Sequence, residues 1–68
     1  MKSIKVKGMS CQHCVMSVTK ALSAIDGLEN VSVDLLKGEA AFEEKNPVDP
    51  EVIKKAIEKI GFEPGDLN

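Results

Sequence analysis

At 68 residues the chain has room for one domain, spanning 1–68, which excludes multidomain enzymes. A fold this short buries only about 60% of the surface its unfolded form exposes, so its core needs two packed layers, a cross-link or a metal. Hydrophobic residues at 43% and charged residues at 29% mark a globular chain of net charge −2, and the absence of Arg, Trp and Tyr removes the guanidinium forks and most of the stacking rings that nucleic-acid readers use.

No nucleic-acid partner is therefore expected. Charge is unevenly spread: residues 1–25 hold four lysines and no acid, whereas residues 26–68 hold five lysines and all eleven acids. No run approaches the about 18 apolar residues of a membrane-spanning helix, and no signal-peptide core follows Met1, so a cytoplasmic setting without membrane insertion is expected.

Residues 2–7 alternate polar and apolar, with Ile4 and Val6 on one face, and predict a half-buried first strand. Gly8 breaks it. Ser10 is the expected N-cap of a helix over residues 12–25, whose apolar positions Val15, Val18, Leu22 and Ile25 recur at helical spacing. Gly27 is placed to take a left-handed conformation after that helix and to release the chain into a second strand over Val31–Leu35. Lys37-Gly38 signals a tight turn into a third strand, the weaker of the pair, carrying Ala40 and Phe42 on one face.

Asn46-Pro47 and Asp49-Pro50 mark a loop, with Asp49 as N-cap and Pro50 in the first turn of a second helix bearing Ile53, Ala56, Ile57 and Ile60. Gly61 ends it. Phe62-Glu63-Pro64 is expected to form only a short edge strand, and 65–68 a frayed tail. The order β-α-β-β-α-β, with every element apolar on one side only, predicts an α+β ferredoxin-like sandwich: a four-stranded antiparallel sheet with two helices on one face.

Chemistry concentrates between the first strand and the first helix, in Gly8-Met9-Ser10-Cys11-Gln12-His13-Cys14. Unpaired amides and the positive end of the helix dipole favour thiolate over thiol there. With Cys11 in the loop and Cys14 in the first turn, two sulfurs can converge on one ion near the surface. Two thiolates without a third strong ligand suit a soft ion of low coordination number, which among physiological metals points to Cu(I). Structural zinc takes four ligands, and even with His13 the segment offers three. His13 would project about 100° from Cys14 on the helix, away from a shared site. Four cysteines from two copies could complete a site bridged by zinc or Cu(I), which would join two chains through the metal.

Gly8, Met9, Cys11 and Cys14 reproduce the signature Gly-Met-x-Cys-x-x-Cys, and together with the glycine turn after the first helix, the hairpin and the Gly61-Phe62 pair the chain resembles the heavy-metal-associated domain family over nearly its whole length. Ser10-Cys11-Gln12-His13-Cys14 and the overall length are similar to bacterial copper chaperones of the CopZ type. The resemblance implies a non-enzymatic carrier that holds Cu(I) between Cys11 and Cys14 and passes it, by thiolate exchange, to the metal-binding domain of a copper-transporting P-type ATPase. Cys11, the more exposed thiol, is expected to exchange first. Phe62 departs from the pattern, because tyrosine often stands there in such chaperones.

Around the cysteines, Met9 is expected to fill core space rather than ligate, and His13 to modulate the thiolates from solvent. Phe62 is expected to pack under the metal loop, and Met16 to lie at the surface or the edge of the core. Lys54, Lys55 and Lys59 read as a solvated helix face, whereas Lys5, Lys7 and Lys20 share the acid-free segment with the site and would supply a positive field that lowers thiol pKa and steers an acidic partner. Other readings of the same residues are a mercury- or zinc-binding domain, a domain cut from an ATPase, and a small thiol-disulfide oxidoreductase with Cys11 as nucleophile. The last lacks the aromatic lead-in and longer βαβ framework of thioredoxin-type CxxC sites.

Overall fold

A computed structural model describes residues 2–67. The element order is β1 (Lys2–Lys7), α1 (Gln12–Ser23), β2 (Leu28–Asp34), β3 (Glu39–Glu44), α2 (Pro50–Lys59) and β4 (Glu63–Leu67). The strands form one sheet in the order β2-β3-β1-β4, with every neighbouring pair antiparallel. This is the expected ferredoxin-like sandwich.

Alternation decides which face is buried. Ile4 and Val6 of β1 and Ala40 and Phe42 of β3 point to the helices, joined by Leu28 of β2, Val18 and Leu22 of α1, and Ile53 and Ile57 of α2. Between them Lys5 and Lys7 point to the open face, where Lys5 Nζ lies 3.2 Å from Glu39 and Lys7 Nζ 3.6 Å from Glu63. At the sheet's other end Lys2 Nζ lies 2.8 Å from Glu44. Its hydrogen bond, followed by one from the Val48 amide, holds the Glu44 carboxyl below the usual carboxylate range.

α2 begins as the sequence predicts: the Asp49 carboxylate accepts from the Glu51 amide at 3.0 Å and Pro50 occupies the first turn. Such a cap contributes about 1 kcal/mol, because it satisfies a backbone donor that the helix start leaves unpaired. α1 differs. Its N-cap is Cys11 rather than Ser10, with extended backbone (φ −157°, ψ 176°) and no side-chain cap. The Cys11 carbonyl accepts the first helical bonds from Cys14 N at 3.0 Å and Val15 N at 3.2 Å, which places Ser10 one residue outside the helix. The helix stops at Ser23, and Ile25 reaches the core from the turn that follows. Gly27 has the expected positive φ, +102°.

Four further expectations are corrected. β2 starts at Leu28, three residues before Val31. β3 is an interior strand flanked by β2 and β1 and carries fully buried Ala40 and Phe42, so it is not the weaker of its pair. Ile60 lies past the end of α2 and is 37% exposed, outside the buried stripe of Ile53 and Ile57. Residues 65–67 are not a tail: β4 continues to Leu67, which lies opposite Ile4 and packs against the core. Asn68, the end of that expected tail, lies outside the described residues. β4 is nonetheless an edge strand, where half the amides have no ladder partner and Pro64 is tolerated opposite Val6.

Candidate metal centre

Register places the Gly8–Cys11 segment. β1 ends at Lys7 opposite Glu63, and its Val6 amide donates to the Gly38 carbonyl at 2.8 Å, so the loop after β1 shares one end of the sandwich with the β2–β3 turn and the start of β4. Gly8 has φ +102°, and a Cβ there would stand 3.3 Å from Phe62 Cδ1. Backbone and ring thus meet closely enough that glycine is needed for both reasons. Phe62 is half-buried against the core and lies against the loop's first residue, and Met9 is likewise half-buried against the core.

The extended Cys11 and helical Cys14 bring their sulfurs to 3.9 Å of each other, both as free thiols, with Cys11 exposed and Cys14 half-buried. Ser10 Oγ also lies 3.9 Å from Cys14 Sγ. The Cys14 thiol is lowered from the ordinary value of 9.0, first by a hydrogen bond from the Ser10 backbone and next by one from the Cys11 backbone, which outweigh partial burial. The sequence reading expected helix-start amides and the helix dipole to favour the thiolate, and lysines to add to that effect. Lys5 and Lys7 instead lie on the open sheet face beside Glu39 and Glu63, which leaves Lys20 as the one of the three on α1.

Bonds of about 2.3 Å, the zinc–thiolate length, fit one ion between sulfurs at this separation, and a straight two-thiolate arrangement would need them about 4.6 Å apart. Cys11, on the extended side of the helix boundary, is the residue free to make that adjustment. Among the described residues no group of three His, Cys, Asp or Glu side chains is assembled to hold a metal. The two thiols thus stand as a pair, with no third such side chain grouped with them among the described residues. His13 is exposed and lines a shallow trough on the outer side of α1 with Val15, Met16, Ser17, Thr19 and Lys20. Met16 is 65% exposed, which resolves it to the surface. The amides of Ser10 and Cys11 are helix-start donors of the kind the sequence leads one to expect; which of them reach the sulfur depends on backbone angles that no residue type announces.

A consequence is testable in metal-free protein. In a Cys11→Ser chain, which retains both amides, Cys14 is expected to alkylate with a pH midpoint below that of an unstructured cysteine peptide in the same buffer. The thiolate then persists as pH falls from 9.0 towards the lowered value, and metal capture persists with it until protons compete below that value. A midpoint at or above that of the unstructured peptide in an iodoacetamide rate profile would contradict the backbone's role.

The sequence profile described as heavy-metal-associated domain matches residues 3–63. The chain is 40% identical over 63 residues to a protein of Staphylococcus haemolyticus named copper chaperone CopZ, covering 91% of this chain and 93% of that one. It is 38% identical over 63 residues to a probable copper-exporting P-type ATPase of Archaeoglobus fulgidus, covering 90% of this chain but 8% of the ATPase. A solved structure described as a CopZ metallochaperone superimposes with a TM-score of 0.86 at 33% identity, covering 94% of this chain and 98% of the other.

Proposed function

The chain belongs to the heavy-metal-associated domain family, and from that premise we propose that it is a cytoplasmic carrier of Cu(I) that holds the ion between Cys11 and Cys14 and hands it to the matching domain of a copper-transporting P-type ATPase. The observation that carries this reading is the pair of free thiols 3.9 Å apart, Cys11 exposed and Cys14 half-buried, with no assembled group of three His, Cys, Asp or Glu ligands among the described residues. Thiolates select soft ions, and a set of two satisfies Cu(I) while leaving zinc short of its usual four. Relatives named for copper carriage and copper export support the cargo. No helix of the described residues is long and apolar enough to cross a membrane.

Delivery needs no covalent chemistry beyond metal–ligand exchange, so the protein acts as a carrier and not an enzyme. The acceptor's thiolate adds to the exposed ion, a bridged species forms, and this chain's sulfurs leave in turn. Cys11 leaves first, because it is exposed on extended backbone, whereas Cys14 is held in the helix and its thiolate is stabilised by two backbone hydrogen bonds. Ser10, His13, Met9 and Phe62 support the pair without ligating it: Ser10 from beside Cys14, Phe62 and Met9 from beneath the loop, and His13 from solvent. Two copies meeting at one ion would supply four thiolates, which gives a copper-dependent homodimer as the resting form at high concentration.

Handover is tested by mixing the Cu(I)-loaded chain with an ATPase metal-binding domain in the presence of a chromophoric chelator that reports released ion. Copper is expected to reach the acceptor without appearing on the chelator, and Cys11→Ser to slow transfer at least about tenfold, a barrier increase of about 1.4 kcal/mol. Transfer by the Cys11→Ser chain at the native rate would overturn the proposed order of exchange.

A further inference from the structure

The outer side of α1 carries two more soft-metal donors that neither the core nor the thiolate pair uses. His13 and Met16 are both exposed and line the same trough. Met9 packs against the core, whereas Met16, 65% exposed, is not among the apolar side chains that do. Packing therefore gives no reason for a methionine there.

Three residues apart on a helix, the two side chains are separated by about 60° around the axis and about 4.5 Å along it. At this spacing Cβ atoms lie about 5–6 Å apart. Helical side chains lean towards the N-terminus, which directs the flexible Met16 thioether back over the turn that bears His13. Cys14 projects about 100° further round the helix from His13, beside Cys11 and Ser10. The ring and the thioether can thus reach a common point in the trough, separate from the thiolate pair. The Ser17 hydroxyl, also in the trough, is engaged with the His13 carbonyl at 3.1 Å. Lys20, the one lysine in the trough, lies about 10 Å along the axis from His13, with a long arm free to turn to solvent.

An imidazole nitrogen and a thioether sulfur are a soft donor set. Thioether selects Cu(I), and imidazole accepts it. We propose that His13 and Met16 form a second site for a single soft monovalent cation, Cu(I) or Ag(I), weaker than the thiolate pair and beside it. Neither donor brings a negative charge, so the ion leaves this site more readily than it leaves two thiolates. The site stands independently of what Cys11 and Cys14 carry.

The test uses the full chain with both thiols removed, Cys11→Ser/Cys14→Ser, titrated with Ag(I) in chloride-free buffer while the His13 ring protons and the Met16 methyl are followed by NMR. Both signals are expected to move along one binding curve. Adding Met16→Leu in that background is expected to weaken Ag(I) binding at least tenfold and to remove the His13 shift, while Met16→Leu in the native chain leaves capture of the first equivalent unchanged. A His13 shift that survives Met16→Leu, or no movement of either signal up to millimolar Ag(I), would overturn the proposal.

Discussion

Replacing both Cys11 and Cys14 by serine is expected to lower Cu(I) affinity by more than about 1,000-fold while leaving the fold intact. Loss of a mere supporting partner around a metal costs about 10–100-fold, and here both of the proposed thiolate ligands are removed. Hydroxyls are hard donors that stay protonated at neutral pH, so serine replaces the charge and the softness of the thiolate with neither. The fold should not suffer, because Cys11 is exposed, Cys14 is half-buried, and neither belongs to the core cluster. Chelator competition gives the affinity and far-ultraviolet circular dichroism the fold. A double-serine chain that competed for Cu(I) within tenfold of the native one would place the tight site elsewhere.

The largest effect on stability is expected at Phe42. It is fully buried on an interior strand, between helices and sheet, and is among the largest of the fully buried side chains. Phe42→Ala removes that ring and leaves a cavity, at about 3–5 kcal/mol. A chain of this size holds roughly 3–10 kcal/mol in total, so the variant is expected to melt about 15–30 °C lower. Leu36, 98% exposed in the β2–β3 turn, provides the contrast, since Leu36→Ala should stay within about 0.5 kcal/mol of the native chain. Thermal melts of the two variants side by side decide the matter. A Phe42→Ala chain melting within a few degrees of native would mean that the sandwich does not depend on this packing.

Legibility followed the physics of each segment. β1 and α2 could be read because burial there tracks a simple period and because Asp49-Pro50 is a local start signal that needs nothing from the rest of the fold. The start of β2 was hidden by a bulge. Glu29 and Asn30 are both exposed, Asn30 has φ +52°, and the register against β3 shifts between Glu29 and Ser32, so the period of two is broken where the strand begins. The Asn30 side chain, which donates to Glu43, holds the bulge to the neighbouring strand.

The end of the chain misleads in a similar way. Pro64-Gly65 reads as a breaker, but a Cβ at Gly65 would stand 2.8 Å from Lys5 Cβ, so the glycine lets β4 pass close to β1 rather than ending it. The shift in register between Ile4 and Val6 absorbs the extra residue of β4. Leu67, which the sequence leaves in a tail, then reaches the core.

At the site, the approach of the Cys11 and Cys14 sulfurs to one another was legible because their spacing across the helix start determines it. The source of the lowered Cys14 thiol was legible in part: unpaired amides at the helix start were expected and are found, whereas the lysine contribution was misplaced. Counting lysines near the motif suggested a positive field, but strand alternation sends Lys5 and Lys7 to the far face of the sheet. The backbone amides of Ser10 and Cys11 are left to perform the task. Charge tallied along a chain omits direction, and direction decides which groups a sulfur meets.

The central claim, that Cys11 and Cys14 form a soft-ion site selective for Cu(I), is tested most directly by anaerobic titration of the reduced native chain with Cu(I) against a strong chromophoric Cu(I) chelator, in the presence of excess Zn(II). One tightly held Cu(I), retained against the chelator and not displaced by zinc, is the predicted result. Loss of the copper to the chelator, with zinc held in its place or with disulfide exchange as the one activity of the thiols, would contradict it.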